Sequence, residues 1–453
     1  MKEKRKDAIQ AEEKVVLNDY EFSPVPDDKK NTWKDQVFVW LGVGFCLTAF
    51  TLGGQIALGL GFWPTVAAVV IGGVILTVVG CLVGAIGVKS GLSSTVSSRF
   101  TFGTYGAIVF GLINALCNFG WFGYQCTFFG NSVTSMFKMA AGIEVSLKAC
   151  IIVGGLMMMI TAIIGYKGIK TLSLFGVPLL FLLVIFGVVR TFMMVPASEV
   201  FSAPPAAPIS FASAVTLMVG SFIVGVSIVQ DFTRYSKTVK DSSIGIILGF
   251  TVGYPAVVIC GAIFTCAFQT NDLTDVLINV LGFGYVAAFI IVVATWTTND
   301  NNLYQSVLGL TNACHGIVRL PRWITTAICG IIATILGAIG MIDWLVPFLN
   351  ILSVVVSPIA GAMLADFYLL KNADNYRFEL MDKIPKARAD TCIGAIAGCL
   401  VGFCMNEPPV GFGIPFLVQF STVVPTALVA MLCSVVVVLI VNKLMGRKTG
   451  LAA

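Results

Sequence analysis

Spans of about 20 apolar residues recur along the whole 453-residue chain, and nothing else in the sequence restricts its fold so strongly. Only helices or closed barrels satisfy their backbone polar groups in hydrocarbon, and spans of this length read as helices. Composition agrees, because 11% of the residues are charged against roughly 25% in soluble domains, and mean hydropathy is +0.93. The expected class is an all-α integral membrane protein. Hydropathy places twelve transmembrane helices, at 36–60, 64–88, 103–136, 146–165, 170–196, 210–233, 242–268, 277–314, 321–340, 344–370, 390–405 and 412–442. Residues 1–35 hold eight Lys/Arg and nine Asp/Glu with no apolar core, which is a solvated tail and not a cleavable signal peptide.

Basic residues orient these spans. With the N-terminus in the cytoplasm, the inner loops and C-terminal tail take 17 Lys/Arg, the N-terminal tail takes 8, and only Lys138, Lys148 and Arg190 fall outside. That asymmetry satisfies the positive-inside rule and predicts both termini in the cytoplasm of a cell (inner) membrane protein. The net charge of +5 therefore reflects topology, and no nucleic-acid partner is expected. Splitting the long stretch 277–314 into two crossings would invert every later loop, so one extended helix is expected there. Thirteen cysteines lie almost all in apolar spans without zinc or redox spacing, and are read as reduced packing residues.

The most polar run inside the apolar region is Ala294 to Tyr304, ATWTTNDNNLY. Polar groups at that depth must face a protein interior or a watery cavity, so this run is expected to line a site. The Thr297 and Thr298 hydroxyls can lie near the Ala294 carbonyl one turn back, giving oxygens suited to a hard cation such as sodium. Alternatively, the hydroxyls simply bond back to the preceding turn. A second candidate is Asn118 to Gln125, where Trp121 lies mid-span and Gln125 shares its helix face. Five of the seven tryptophans, Trp33, Trp40, Trp63, Trp323 and Trp344, fall at span ends, as in an aromatic belt. Glycine clusters at Gly42, Gly44, Gly53 and Gly54 in the first span and at Gly220 and Gly225 in the sixth suggest paired broken helices. Close helix packing would also explain them. Asp231, Asp300 and Asp366 are placed at or beyond the cytoplasmic ends of their spans, which leaves no carboxylate for a proton relay at mid-membrane. Asp231 with Arg234 is read as a gate or helix-end pair.

Together, SRFTFG at Ser98–Gly103, GWFG at Gly120–Gly123, GSFI at Gly220–Ile223, QDFTRY at Gln230–Tyr235, WTTNDN at Trp296–Asn301 and the segment Pro358–Tyr368 resemble the nucleobase-cation symporters, a family that includes cytosine and hydantoin permeases. The resemblance implies two inverted five-helix repeats of LeuT-like fold, 36–196 and 206–370, with helices one and six discontinuous. It adds a cytoplasmic loop at 371–389, two further helices in 390–442 and a tail at 443–453. It implies a flat ring held between Trp121 and Phe222, with Ser221, Asn299, Gln125 and Asn118 as polar contacts. It also implies that backbone carbonyls of Cys46 and Ala49, unwound from helix one, join Ala294, Thr297 and Thr298 around sodium.

The expected activity is sodium-coupled uptake of a nucleobase, with cytosine the expected cargo, by alternating access. Proton coupling, or a purine, hydantoin or thiamine-precursor pyrimidine as cargo, is the alternative. No cofactor beyond the coupling ion and no obligatory protein partner is expected. A membrane enzyme is disfavoured by the lack of paired acids, a metal cluster or a nucleophile with its base, and an importer subunit driven by a separate ATPase by the twelve spans.

Overall fold

The structure is a computed structural model that describes Tyr20 and residues 23–164, 166–314 and 321–446, with the backbone alone at 164, 166–175, 177 and 312–314. His315, Arg319, Arg447, Lys448 and the tail before Tyr20 lie outside the described residues, as do the side chains of Lys167 and Lys170. Among the described residues the architecture is helical, with one isolated bridge joining Asn31 and Ser236. The principal helices are α1 (Trp33–Gly44), α2 (Leu47–Leu60), α3 (Phe62–Ser90), α4 (Ser94–Ala141), α5 (Leu147–Ile164), α6 (Tyr166–Met194), α7 (Phe211–Ser227) and α8 (Gln230–Thr233). They continue as α9 (Val239–Phe268), α10 (Gly284–Cys314), α11 (Arg322–Ala338), α12 (Met341–Leu369), α13 (Ala389–Cys404), α14 (Pro415–Ser421) and α15 (Thr426–Leu444).

Local chemistry sets several of these starts. Thr32 and Asp35 form a capping box at α1, Ser210 accepts from the Ser213 N–H at α7 (3.0 Å), and Thr238 accepts from the Asp241 N–H at α9 (3.1 Å). Among the described residues, five helices are long and apolar enough to cross a membrane, and the pair α1/α2, bent by 59°, makes a sixth. Their outward faces are apolar, as at Ile71, Val74, Val78 and Leu82 of α3, where three- and four-residue steps make one exposed stripe. This is a multi-pass membrane protein.

Packing sorts the helices into two groups. In the first, α2 lies against α9, and α3 against α7; in the second, α4 lies against α10, α5 and α11. The α12, α13 and α15 helices pack on one another beside them. Helix α10 runs antiparallel to α4, because Gly309 meets Gly111 and Ala115 while Gly284 faces Met139. The molecule thus has one end marked by Ser94, Ser236 and Asp241 and an opposite end marked by Gly61, Asn271 and Gly284.

Several boundaries differ from those expected. The first span breaks at Phe45 and Cys46, where the backbone is non-helical (ψ 78° and 154°), after Gly42 and Gly44 and well before Gly53 and Gly54. Gly53 and Gly54 serve packing instead: a Cβ on Gly53 would meet the Val258 carbonyl, and one on Gly261 the Phe50 carbonyl. The sixth span ends its regular helix at Ser227 and resumes as the single turn α8. The stretch 277–314 is not one helix, because the short helical segment Val276–Val280 is separated from α10 by a turn in which Gly282 and Gly284 have positive φ. Residues 94–102, read as loop, are helical and join the third span at Gly103 (φ 76°, ψ 176°), and 412–442 divides into α14 and α15.

Candidate functional site

A cavity of about 530 Å³ lies where the α1/α2 break, the end of α7 and the middle of α10 and α4 converge. The cavity is bounded by Phe38 to Thr48 of the first span and by none of the α2 residues beyond Thr48, so it extends from the middle of the molecule toward the Ser94 end. Toward the other end, α2 and α9 meet backbone to backbone at Gly53 and Gly261, and the Asn271 amide donates to Gln55 Oε1 (3.3 Å).

Trp121, Gln125, Asn118, Ser221, Phe222, Cys46, Ala294, Thr297 and Thr298 all line this one cavity. Phe222 is braced edge-on by Phe250 (4.8 Å between ring centres) and Tyr254 (5.0 Å), and Trp121 by Phe348 (5.2 Å). Edge-to-face packing of this kind fixes ring orientation while leaving a face open. Gln125 is 1% exposed, and its Oε1 has no hydrogen-bond partner among the described residues. An acceptor left so inside a protein is costly unless a ligand donates to it. Ser221 Oγ donates to the Met218 carbonyl (2.6 Å) and accepts from the Tyr254 hydroxyl (2.8 Å), and Asn118 Nδ2 donates to the Asn114 carbonyl (2.9 Å).

The Thr297 and Thr298 hydroxyls donate to the Ala294 carbonyl at 2.9 and 3.0 Å, the back-bonded arrangement that was the plain alternative for this pair. It leaves both hydroxyl oxygens with lone pairs beside that carbonyl, an oxygen set that suits a hard cation. Cys46 reaches the same cavity as N-cap of α2, where its carbonyl accepts the Ala49 N–H (3.1 Å). Ala49 does not line the cavity. It is the third residue of α2, fully buried, so the unwound stretch does not extend to its carbonyl.

Asn299 also differs from expectation. Its Nδ2 donates to the Phe122 carbonyl (3.1 Å) and contacts the Cys126 and Met158 sulfurs (3.4 and 3.3 Å), on the side of α10 away from the cavity. Asp300 lies near the middle of α10 and is 2% exposed, with the Thr161 hydroxyl at 3.4 Å. It is therefore not at a span end. Asp231 accepts from the Ser94 N–H (2.8 Å) and hydroxyl (2.9 Å), while Arg234 Nε donates to the Asp231 carbonyl and Nη1 to the Tyr20 carbonyl (2.7 Å). These bonds fasten the end of the sixth span to the start of α4.

A family model described as "Permease for cytosine/purines, uracil, thiamine, allantoin" matches residues 24–386. The chain belongs to that family. It is 31% identical over 353 residues to a cytosine permease of Escherichia coli O157:H7, covering 78% of this chain and 81% of the relative. It is 23% identical over 370 residues to a hydantoin permease of Microbacterium maritypicum, covering 74% and 72%. Among solved structures it superposes on the inward-facing conformation of Mhp1 with a TM-score of 0.78 at 17% identity, covering 93% of each chain. On the closed, bromovinylhydantoin-bound form of that nucleobase-cation-symport-1 family transporter the TM-score is 0.76 at 18% identity, covering 96% of this chain and 97% of that one. The molecule is thus a transporter of small nucleobase-like compounds, and not an enzyme.

Asn301 and Asn302 line the cavity, as expected of the polar run Ala294 to Tyr304, whereas Trp40, Tyr254 and Gln305 are cavity residues that sequence reading missed. Trp40 was assigned to the membrane belt but is 1% exposed and lines the cavity, unlike the exposed Trp33, Trp63, Trp323 and Trp344. The α10 residues carried a usable signal, because 298, 301, 302 and 305 follow the three- and four-residue steps of one helix face.

Proposed function

We propose that the chain takes up a nucleobase, cytosine foremost, by symport with sodium through alternating access. The observation that carries this reading is the meeting, in one cavity, of two braced aromatic rings, an unpartnered amide oxygen and the Ala294–Thr297–Thr298 oxygens. Stacking holds any flat ring, and the Gln125 and Ser221 polar atoms choose among rings by their edges. Sodium held between α10 and the Cys46 carbonyl would draw the first span toward α10 and so favour the conformation that binds base from outside. Linkage requires that base then favour sodium equally. The bent pair α1/α2, the divided sixth span and the glycine packing support a frame of two inverted five-helix repeats within twelve spans. In that frame the Ser94 end and both termini face the cytoplasm across the cell membrane. A site for purine, uracil or hydantoin rings would use the same rings and amide.

Uptake of radiolabelled cytosine into liposomes reconstituted with the full chain tests the coupling. An inward sodium gradient is expected to raise initial uptake at least about ten-fold over equal potassium, and Thr297→Ala with Thr298→Ala is expected to remove that stimulation. Equal rates in the two salts would overturn sodium coupling. A proton gradient that replaced sodium would point instead to the buried Asp300.

A further inference from the structure

We propose a second docking station for the transported ring, built from Asn301, Asn302 and Gln305 on α10, between the Trp121–Phe222 pair and the Ser94 end. This inference rests on the nucleobase reading above and adds to it a stop on the release side. Three observations carry it. The cavity, at about 530 Å³, lies in the range that accommodates drug-sized ligands, and a single-ring base sandwiched between Trp121 and Phe222 fills only part of it. The remainder is not a featureless exit: Asn301, Asn302 and Gln305 continue the face that begins at Thr298, in steps of three and four residues, and all line the cavity. Finally, Gln305 Oε1 is buried without a hydrogen-bond partner among the described residues.

These groups prescribe what they receive. Gln305 Oε1 gains by accepting from an N–H donor, such as a ring N–H or an exocyclic amine, once its side chain turns into the cavity that the residue lines. Asn301 is exposed to the cavity and offers both an acceptor and two donors. Asn302 lines the cavity and commits one amide hydrogen to Asn299 Oδ1 (3.3 Å), which fixes its side chain. Phe38 and Phe232, from the first span and the end of the sixth, line the same cavity and supply apolar surface to a flat ring. The station therefore fits the amide-like N–H/C=O edge of a neutral heterocycle, the same edge the deeper site reads. A ring leaving Trp121 and Phe222 would exchange one set of amide bonds for another before reaching water.

The test measures transport from each face separately, in proteoliposomes of known orientation, with cytosine as the probe. Gln305→Met removes the acceptor while keeping length and helix propensity, and Asn301→Ala trims an exposed side chain. Each is expected to raise the KM for cytosine presented from the Ser94 face about five-fold, the scale of one neutral hydrogen bond, with the KM from the opposite face changed less than about two-fold. Equal KM changes at both faces, or none at either, would overturn the station. If the unaltered protein moves no base at all, the nucleobase reading itself fails, a result that the sided comparison keeps separate.

Discussion

At the scale of single residues, helical periodicity separates cavity-lining side chains from fastenings. Successive helix positions turn by about 100°, so Thr297, Thr298, Asn301 and Asn302 can share the cavity while Asn299 and Asp300 point elsewhere. Asn299 ties α10 to the Phe122 carbonyl of α4, so its expected effect is on stability. Asn299→Ala should lower the melting midpoint by the equivalent of about 1 kcal/mol and leave the cytosine Kd nearly unchanged, whereas Trp121→Ala should weaken cytosine binding by about 1 to 3 kcal/mol. Calorimetric titration and a thermal melt on both variants check the pair. Polar residues inside apolar spans were legible because lipid forbids them. Which way each one points was not, since Asn299 and Thr298 are equally polar and only the packing of α10 on α4 decides between them. Trp40 was misread for the opposite reason: an indole near a span end suits the interface until a neighbouring helix covers it.

At the scale of elements, glycine has two uses here that sequence alone does not distinguish. Gly42 has nothing within 4 Å of its missing Cβ, whereas Gly261 has the Phe50 backbone there. Gly42→Ala should therefore be neutral or stabilising by about 0.5 to 1 kcal/mol, while Gly261→Ala should cost about 1 to 3 kcal/mol by forcing α2 away from α9. Melting curves of the two variants in detergent would show opposite signs, and matching signs would refute this division. The number and order of apolar spans was readable because each must bury or bathe about 20 residues in lipid. The helix at Ser94–Phe102 was hidden, since it is polar and begins before the hydrophobic stretch it joins. Its junction at Gly103 needs a backbone with φ 76°, lying against Pro385 and Ala387, and that partner segment is nearly 300 residues away.

At the scale of the whole molecule, a buried polar cluster joins these distant parts at the Ser94 end. Arg388 pairs with Asp366 (2.6 Å) and Asp390 (2.8 Å) and donates to the Phe100 carbonyl (3.0 Å), while Tyr376 donates to Asp366 (2.6 Å). Burial opposes the Arg388 charge, but Asp366 and Asp390 outweigh it and hold its pKa above the ordinary value. Removing one member strands the others, so Arg388→Ala should cost about 3 to 5 kcal/mol. The exposed pair Lys138–Glu144 (3.6 Å) should melt unchanged when Lys138 becomes alanine. Equal melts for both variants would show that the cluster carries no such role. Toward the Gly61 end, α2 and α9 are joined quite differently, by main chain resting on main chain at Gly53 and Gly261. A joint of that kind has no side chain to swing aside. The two rods can part only by tilting whole, so any movement at the Phe45–Cys46 break is carried to the far end as by a rigid lever.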